Sequence, residues 1–72
     1  MKKTFKLKNL GCANCAAKME AKIKALPGVN GVIINFMISR LTLDADEMRF
    51  NEIVTEAAKI CSKIEPDCVL VV

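Results

Sequence analysis

Cys12 and Cys15 are the side chains best suited to chemistry, standing in the run Leu10-Gly11-Cys12-Ala13-Asn14-Cys15-Ala16. Two thiols three positions apart, where a strand gives way to a helix, can point at one atom. The chain has no His, Tyr or Trp, so little else competes for a chemical role. A free thiol, with a pKa of about 8.5, is mostly protonated at neutral pH. Cys15 falls in the expected first turn of a helix, where the dipole and free N–H groups favour the anion, and Lys18 adds to this. Thiolates prefer soft ions, Cu(I), Zn(II), Cd(II) and Pb(II), over hard ones. Two protein sulfurs complete a linear Cu(I) site but leave a tetrahedral Zn(II) two ligands short. An under-filled site on a loop exchanges its ion, which suits delivery better than structural support.

The same spacing has other uses. Cys-x-x-Cys at a helix start also defines thiol–disulfide oxidoreductases. Those folds run longer, and the aromatic residue usual before their first Cys is absent. A structural Cys-four zinc site would add Cys61 and Cys68, but their six-residue gap is wider than zinc knuckles use. Two buried cysteines without chemistry are the plainest alternative. Cys61, one step after Ile60, reads as core of a helix before it reads as a ligand. Cys68, beside Val69 in a strand, reads still more firmly as core. Glu65 reads first as a solvated carboxylate, and Met37 as turn or core. Cys61, Glu65 and Cys68 nevertheless stand as candidates for an additional ligand, because their stretch is expected at the same end of the fold as the Cys pair.

That expectation comes from the elements. Thr4 to Asn9 alternates, with Phe5 and Leu7 on one face and Lys6 and Lys8 on the other, as in a half-buried strand. From about Asn14 the period becomes helical, with Cys15, Met19, Ile23 and Leu26 on one side, and Pro27-Gly28 stops it. Val29 to Ile38 reads as a second strand with Val32, Ile34 and Phe36 inward. The chain turns near Ser39, and Leu41 and Leu43 mark a third strand ending at Asp44. Asp46 can cap a second helix, with Glu47 suited to its positive end. Phe50, Ile53, Ala57 and Ile60 form that helix's apolar stripe. Pro66-Asp67 ends the pattern, and Cys68 to Val72 forms a last strand. Strand–helix–strand–strand–helix–strand is the order of the ferredoxin-like plait, an α+β fold with a four-stranded antiparallel sheet and two helices on one face. In it the first strand–helix loop, the central hairpin turn and the last helix–strand loop share one end.

Size and charge narrow the function. Seventy-two residues make one small domain, 1–72, with no room for a catalytic and a substrate domain. No catalytic activity is expected of it alone. No apolar run approaches the roughly 20 residues of a membrane span, so direct insertion is not expected. Lys2 and Lys3 are not followed by an apolar signal core, and a cytoplasmic location is expected, where thiols stay reduced. The final valines, without a polar tail, hint at a module of a longer protein. Residues 1–40 hold eight Lys and Arg against Glu20 alone, while 41–72 hold three against seven Asp and Glu. The basic half contains the Cys pair, so Lys18 and Lys22 are candidates to steer an acidic partner face. Nucleic-acid binding is not expected: three Phe, all at core-like positions, leave no stacking platform.

Gly11-Cys12-Ala13-Asn14-Cys15, Leu26-Pro27-Gly28-Val29 and the Asn35-Phe36 strand together resemble the heavy-metal-associated domain over essentially the whole chain. The resemblance implies a domain that binds a soft metal through Cys12 and Cys15 and passes it between chaperones and P-type metal-transporting ATPases. Cys-Ala-Asn-Cys-Ala-Ala-Lys, Asn35-Phe36-Met37 and Ile64-Glu65-Pro66-Asp67 are most similar to amino-terminal domains of cadmium/zinc/lead-exporting ATPases. The implied cargo is then Cd(II), Zn(II) or Pb(II), with Cu(I) in a metallochaperone or copper-ATPase domain as the alternative. Partners would be ATPase domains or a metallochaperone with an acidic face, and the metal-free form a monomer. Copper members usually have Met two residues before the first Cys, where this chain has Leu10. Many zinc members have a ligating Asp directly before it, where this chain has Gly11.

Overall fold

The computed structural model describes residues 1–72. β1 (Lys2–Lys8), α1 (Ala13–Lys24), β2 (Val29–Asn35), β3 (Arg40–Ala45), α2 (Phe50–Ile64) and β4 (Val69–Val71) follow in the expected order, with a 3-10 turn over Glu47–Arg49 leading into α2. The strands pair antiparallel in the order β2-β3-β1-β4. This is the ferredoxin-like plait that the pattern of residues predicts.

Periodicity accounts for the layers. Phe5 and Leu7 of β1, Leu41 and Leu43 of β3 and Leu70 of β4 are buried under the helices, while the intervening residues stand on the open face. α1 buries Ala16, Met19 and Ile23, and α2 buries Phe50, Ile53, Val54, Ala57 and Cys61. The α2 stripe therefore runs through Cys61, and Ile60 is only half-buried at its edge. The buried side chains form one cluster with no polar or charged member. Phe5 and Phe50 stack within it, ring centroids 6.3 Å apart, and tie a central strand to α2.

The boundaries depart from the expected ones for local reasons. β1 ends at Lys8 because Asn9 is left-handed, φ 60°. β2 ends at Asn35, not Ile38: the Asn35 side-chain oxygen accepts from the backbone N–H of Met37 (3.1 Å) and Ile38 (3.4 Å). Such a local bond folds the chain into a turn at the expense of the ladder. Phe36, expected inward, lies in that turn and is 37% exposed. The Asp46 carboxylate accepts from Met48 N–H at 3.0 Å, capping the 3-10 turn, and α2 proper starts at Phe50. β4 is Val69–Val71, with Cys68 just before it. Gly28 has φ 90°, and a Cβ there would lie 3.1 Å from Ile53 Cδ1, so the connection after α1 favours glycine twice over.

β2 is an outer strand, and its Ile34 N–H donates to Glu20 Oε2 of α1 at 2.9 Å. The carboxylate thereby occupies an edge donor that could otherwise recruit another strand. On the other side, the pairs Lys6–Arg40 and Lys8–Val69 and the bond from Leu7 N–H to Ser39 O (2.9 Å) set the functional end. They bring the β1–α1 loop, the β2–β3 turn and the α2–β4 loop together, as the topology requires.

Candidate metal centre

Cys12 is the N-cap of α1, with extended backbone (φ −138°, ψ 118°), and Cys15 lies in the first turn. The Cys12 Sγ occupies the place of a capping oxygen and accepts from Cys15 N–H at 3.2 Å. Both residues are half-buried, and Cys15 packs against the core. α1 has no acidic residue in its first turn, so the thiol pair alone meets the helix's positive end.

The two sulfurs are electrostatically unequal. The Cys15 side chain donates to Cys12 Sγ, and with the N–H groups of Cys15 and Asn14 this lowers the Cys12 pKa. The same side-chain bond raises the Cys15 pKa, assisted by burial and by the charges of Cys12 and Glu65, while Lys18 opposes the rise. Of the two, Cys12 is therefore the thiol that gives up its proton more readily.

Glu65 caps the C-terminus of α2 with extended backbone, and its Oε1 accepts from Gly11 N–H at 3.3 Å. Asn9 Nδ2 donates to Asp67 O at 3.1 Å. Two bonds therefore tie the α2–β4 loop to the Cys loop, and the Glu65 charge partly opposes the lowering at Cys12 and adds to the rise at Cys15 and Cys68. A Cβ at Gly11 would be 3.7 Å from Glu65 Oε2, an ordinary contact. Space does not exclude an Asp at position 11, but an Asp there would set a second carboxylate beside the first. No three His, Cys, Asp or Glu side chains converge closely enough to hold an ion in this arrangement.

Cys61 and Cys68 lie elsewhere, each 0% exposed in the core. Burial pushes the Cys61 thiol up to about 11, with the nearby Cys68 adding to the shift. Burial likewise raises Cys68, with Glu65 adding. The fold thus brings Glu65 to the loop of the Cys pair and keeps Cys61 and Cys68 in the core. Lys18 and Lys22 are exposed on α1, one turn apart. The exposed turn Phe36–Ser39 also stands at this end. Its signal was the Asn35 turn-former, which outweighs the apolar run that follows.

An alkaline stability loss follows from the buried thiols. Because the folded state holds the Cys61 proton to about pH 11 and the unfolded chain releases it near 8.5, folded protein binds more protons between those values. Stability contributed by the neutral thiol is complete below the unfolded pKa and falls as pH rises through the window. Urea melts at pH 8 and pH 10.5 should show a marked fall for the parent chain and a smaller one for Cys61→Ala. Equal falls in both would place the alkaline sensitivity elsewhere.

Comparison with known proteins completes the description. Residues 4–66 match the family described as the heavy-metal-associated domain. The chain is 35% identical over 66 residues to the cadmium, zinc and cobalt-transporting ATPase of Bacillus subtilis, an alignment spanning 92% of this chain and 9% of that protein. It is 36% identical over 62 residues to the probable copper-transporting ATPase PacS of Synechococcus elongatus, spanning 86% of this chain and 8% of the relative. Among solved structures, the CopZ metallochaperone superposes with a TM-score of 0.78 at 13% identity, covering 99% of this chain and 100% of its own. That likeness is one of fold. The chain spans about a tenth of the length of the curated relatives it matches.

Proposed function

Because the chain belongs to the heavy-metal-associated domain family, we propose that it carries a soft divalent ion, Cd(II), Zn(II) or Pb(II), on Cys12 and Cys15 and passes it on by ligand exchange. Its setting would be the amino-terminal metal-binding module of a heavy-metal-exporting ATPase, on the cytoplasmic side. The 72 residues act as one domain and are monomeric without metal.

The observation that carries this function is the pairing of Cys12 and Cys15, three residues apart at the positive end of α1, with one further carboxylate tied to the same loop. The pair supplies two soft donors. Glu65 supplies a third when it leaves Gly11 N–H and turns toward the sulfurs, taking the role that an acidic residue at position 11 would have had. A divalent ion uses that oxygen, whereas Cu(I) is content with two sulfurs. The transport of cadmium and zinc for which the Bacillus subtilis relative is named supports the divalent choice. Transfer proceeds when a partner ligand enters the open coordination position before a Cys bond breaks. Lys18 and Lys22 orient the acidic face of that partner, an ATPase domain or a metallochaperone.

A second function, Cu(I) delivery, is favoured by the absence of a converged third donor and by the copper-transporting relative. Competing Cd(II) and Cu(I) titrations of the fully reduced protein separate the two. Divalent function requires tight one-to-one Cd(II) binding with amide shifts at both Gly11 and Glu65. Weak Cd(II) binding, with tight Cu(I) binding and shifts confined to the Cys loop, would establish copper transfer instead.

Glu65→Gln sharpens the comparison. A glutamine still accepts from Gly11 N–H, so the loop keeps its tie while losing its charge. Cd(II) affinity should fall by roughly tenfold or more, with Cu(I) affinity unchanged, by chelator competition. Unaltered Cd(II) affinity would remove Glu65 from coordination.

A further inference from the structure

The helices cover one face of the sheet and leave the other open. At the metal-centre end of that open face stand Lys6 and Lys8 of β1 and Arg40 of β3, with Lys6 directly opposite Arg40 in the ladder. The carboxylate on this face, Asp44, lies two outward positions beyond Arg40 toward the far end, 3.9 Å from the N-terminal ammonium. Around the cations the face carries Thr4, Thr42 and Asn35 together with the apolar Ile33 and Val69, 66% and 48% exposed.

The β2–β3 turn extends this face. Phe36, Met37 and Ile38 are consecutive, and Met37 is 88% and Ile38 59% exposed. Three adjacent apolar side chains on a solvent-facing turn are costly unless something covers them. The backbone of the turn is already provided for. Met37 and Ile38 N–H donate to Asn35 Oδ1, Ser39 N–H donates to Phe36 O, and Arg40 Nη1 donates to the carbonyls of Ile38 (2.9 Å) and Ser39 (3.2 Å). A turn entering a medium poor in hydrogen-bond partners needs that internal satisfaction.

We infer that the open sheet face and the Phe36–Ile38 turn dock on an anionic lipid surface. The cations sit over the headgroups and the turn inserts its apolar side chains at the acyl boundary. Charge complementarity selects this occupant: a flat half-face whose strand positions carry three cations and no carboxylate meets a flat negative one, with Asp67 in the adjoining loop the one acidic residue near it. The turn's form agrees, since an exposed tip enters a deformable surface directly, whereas a protein partner must offer a matching pocket. Docked in this way, the helix layer faces away from the lipid, and the Cys12–Cys15 loop stands at the rim with α1 free. The contact is weak by construction and serves a domain already held near a membrane. That nearness rests on the setting proposed above, while the contact itself does not need Cys12 and Cys15 to carry a metal.

The test is co-sedimentation of the reduced 72-residue chain with sucrose-loaded vesicles, either phosphatidylcholine alone or an equal mixture with phosphatidylglycerol. Binding is expected to the anionic vesicles only, and should decline steeply between low and high salt. Lys6→Gln with Lys8→Gln should weaken partition by roughly fivefold for each cation removed. Met37→Ser with Ile38→Ser should weaken it by about tenfold or more, with the amide spectrum and Cd(II) titration unchanged elsewhere. No pelleting at millimolar anionic lipid, or equal pelleting of the turn variant, overturns the inference. So does binding of the turn to an acidic protein domain in the absence of any vesicle binding, since the occupant would then be a protein.

Discussion

Serine at position 12 or 15 abolishes tight Cd(II) binding while the amide spectrum of the folded domain persists. Outer-shell partners alone are worth roughly 10- to 100-fold in metal affinity, so losing one of two sulfurs should cost on the order of a thousandfold or more. Thiolate-to-metal charge-transfer absorbance should vanish with it. The fold survives because neither side chain is a core element. Both are half-buried, and a serine oxygen at position 12 caps α1 at least as well as the sulfur it replaces. The two variants also differ in an informative way. Cys12→Ser removes the sulfur whose pKa is lowered, whereas Cys15→Ser removes the thiol that lowers it but leaves a hydroxyl able to donate. The remaining Cys12 of the second variant should therefore react faster with a disulfide reagent than the remaining Cys15 of the first. Retention of full Cd(II) affinity by either variant would remove the metal function.

Leu41→Ala should bring the domain close to unfolding. Leu41 is 0% exposed on the central strand β3, paired with Phe5 on one side and Ile34 on the other. Truncating such a leucine costs about 2–5 kcal/mol, because the lost contacts leave a cavity that a packed core only partly closes. A chain of 72 residues has in total roughly 4–11 kcal/mol, so one side chain removes a large share. The midpoint of thermal unfolding should fall by about 10 °C or more. Met37→Ala, at an exposed turn position, should change it within about 0.5 kcal/mol. A Leu41→Ala protein that melts like its parent would mean that the sheet does not depend on this layer.

The sequence by itself determined what is local and periodic. Alternation in β1 and the three-and-four spacing in both helices follow from backbone geometry, so the plait and its layers could be read directly. The Cys-x-x-Cys pair was legible for the same reason, since both residues belong to one strand-to-helix junction. Short-range competition was harder to read. The Asn35 side chain draws Phe36–Ile38 out of the strand, and a left-handed Asn9 ends β1, because single hydrogen bonds there outweigh an apolar run.

Only the tertiary structure decided how residues distant in sequence divide their labour. Cys61 and Cys68 read first as core and Glu65 as solvated, yet all three stood as candidate ligands because their stretch shares the end of the Cys pair. Packing of α2 turns Cys61 into the core, the approach to β4 does the same for Cys68, and the carboxylate is left on Gly11 N–H. Helix phase sets that division: Cys61 falls on the buried stripe of α2, and Glu65, where the helix has ended, faces the Cys loop. Lys6 and Lys8 could be read as outward, but their grouping with Arg40 and the apolar turn into one open patch could not, for a related reason. Which side of a strand lies uncovered is fixed by where the helices pack, and that is a property of the assembled layers.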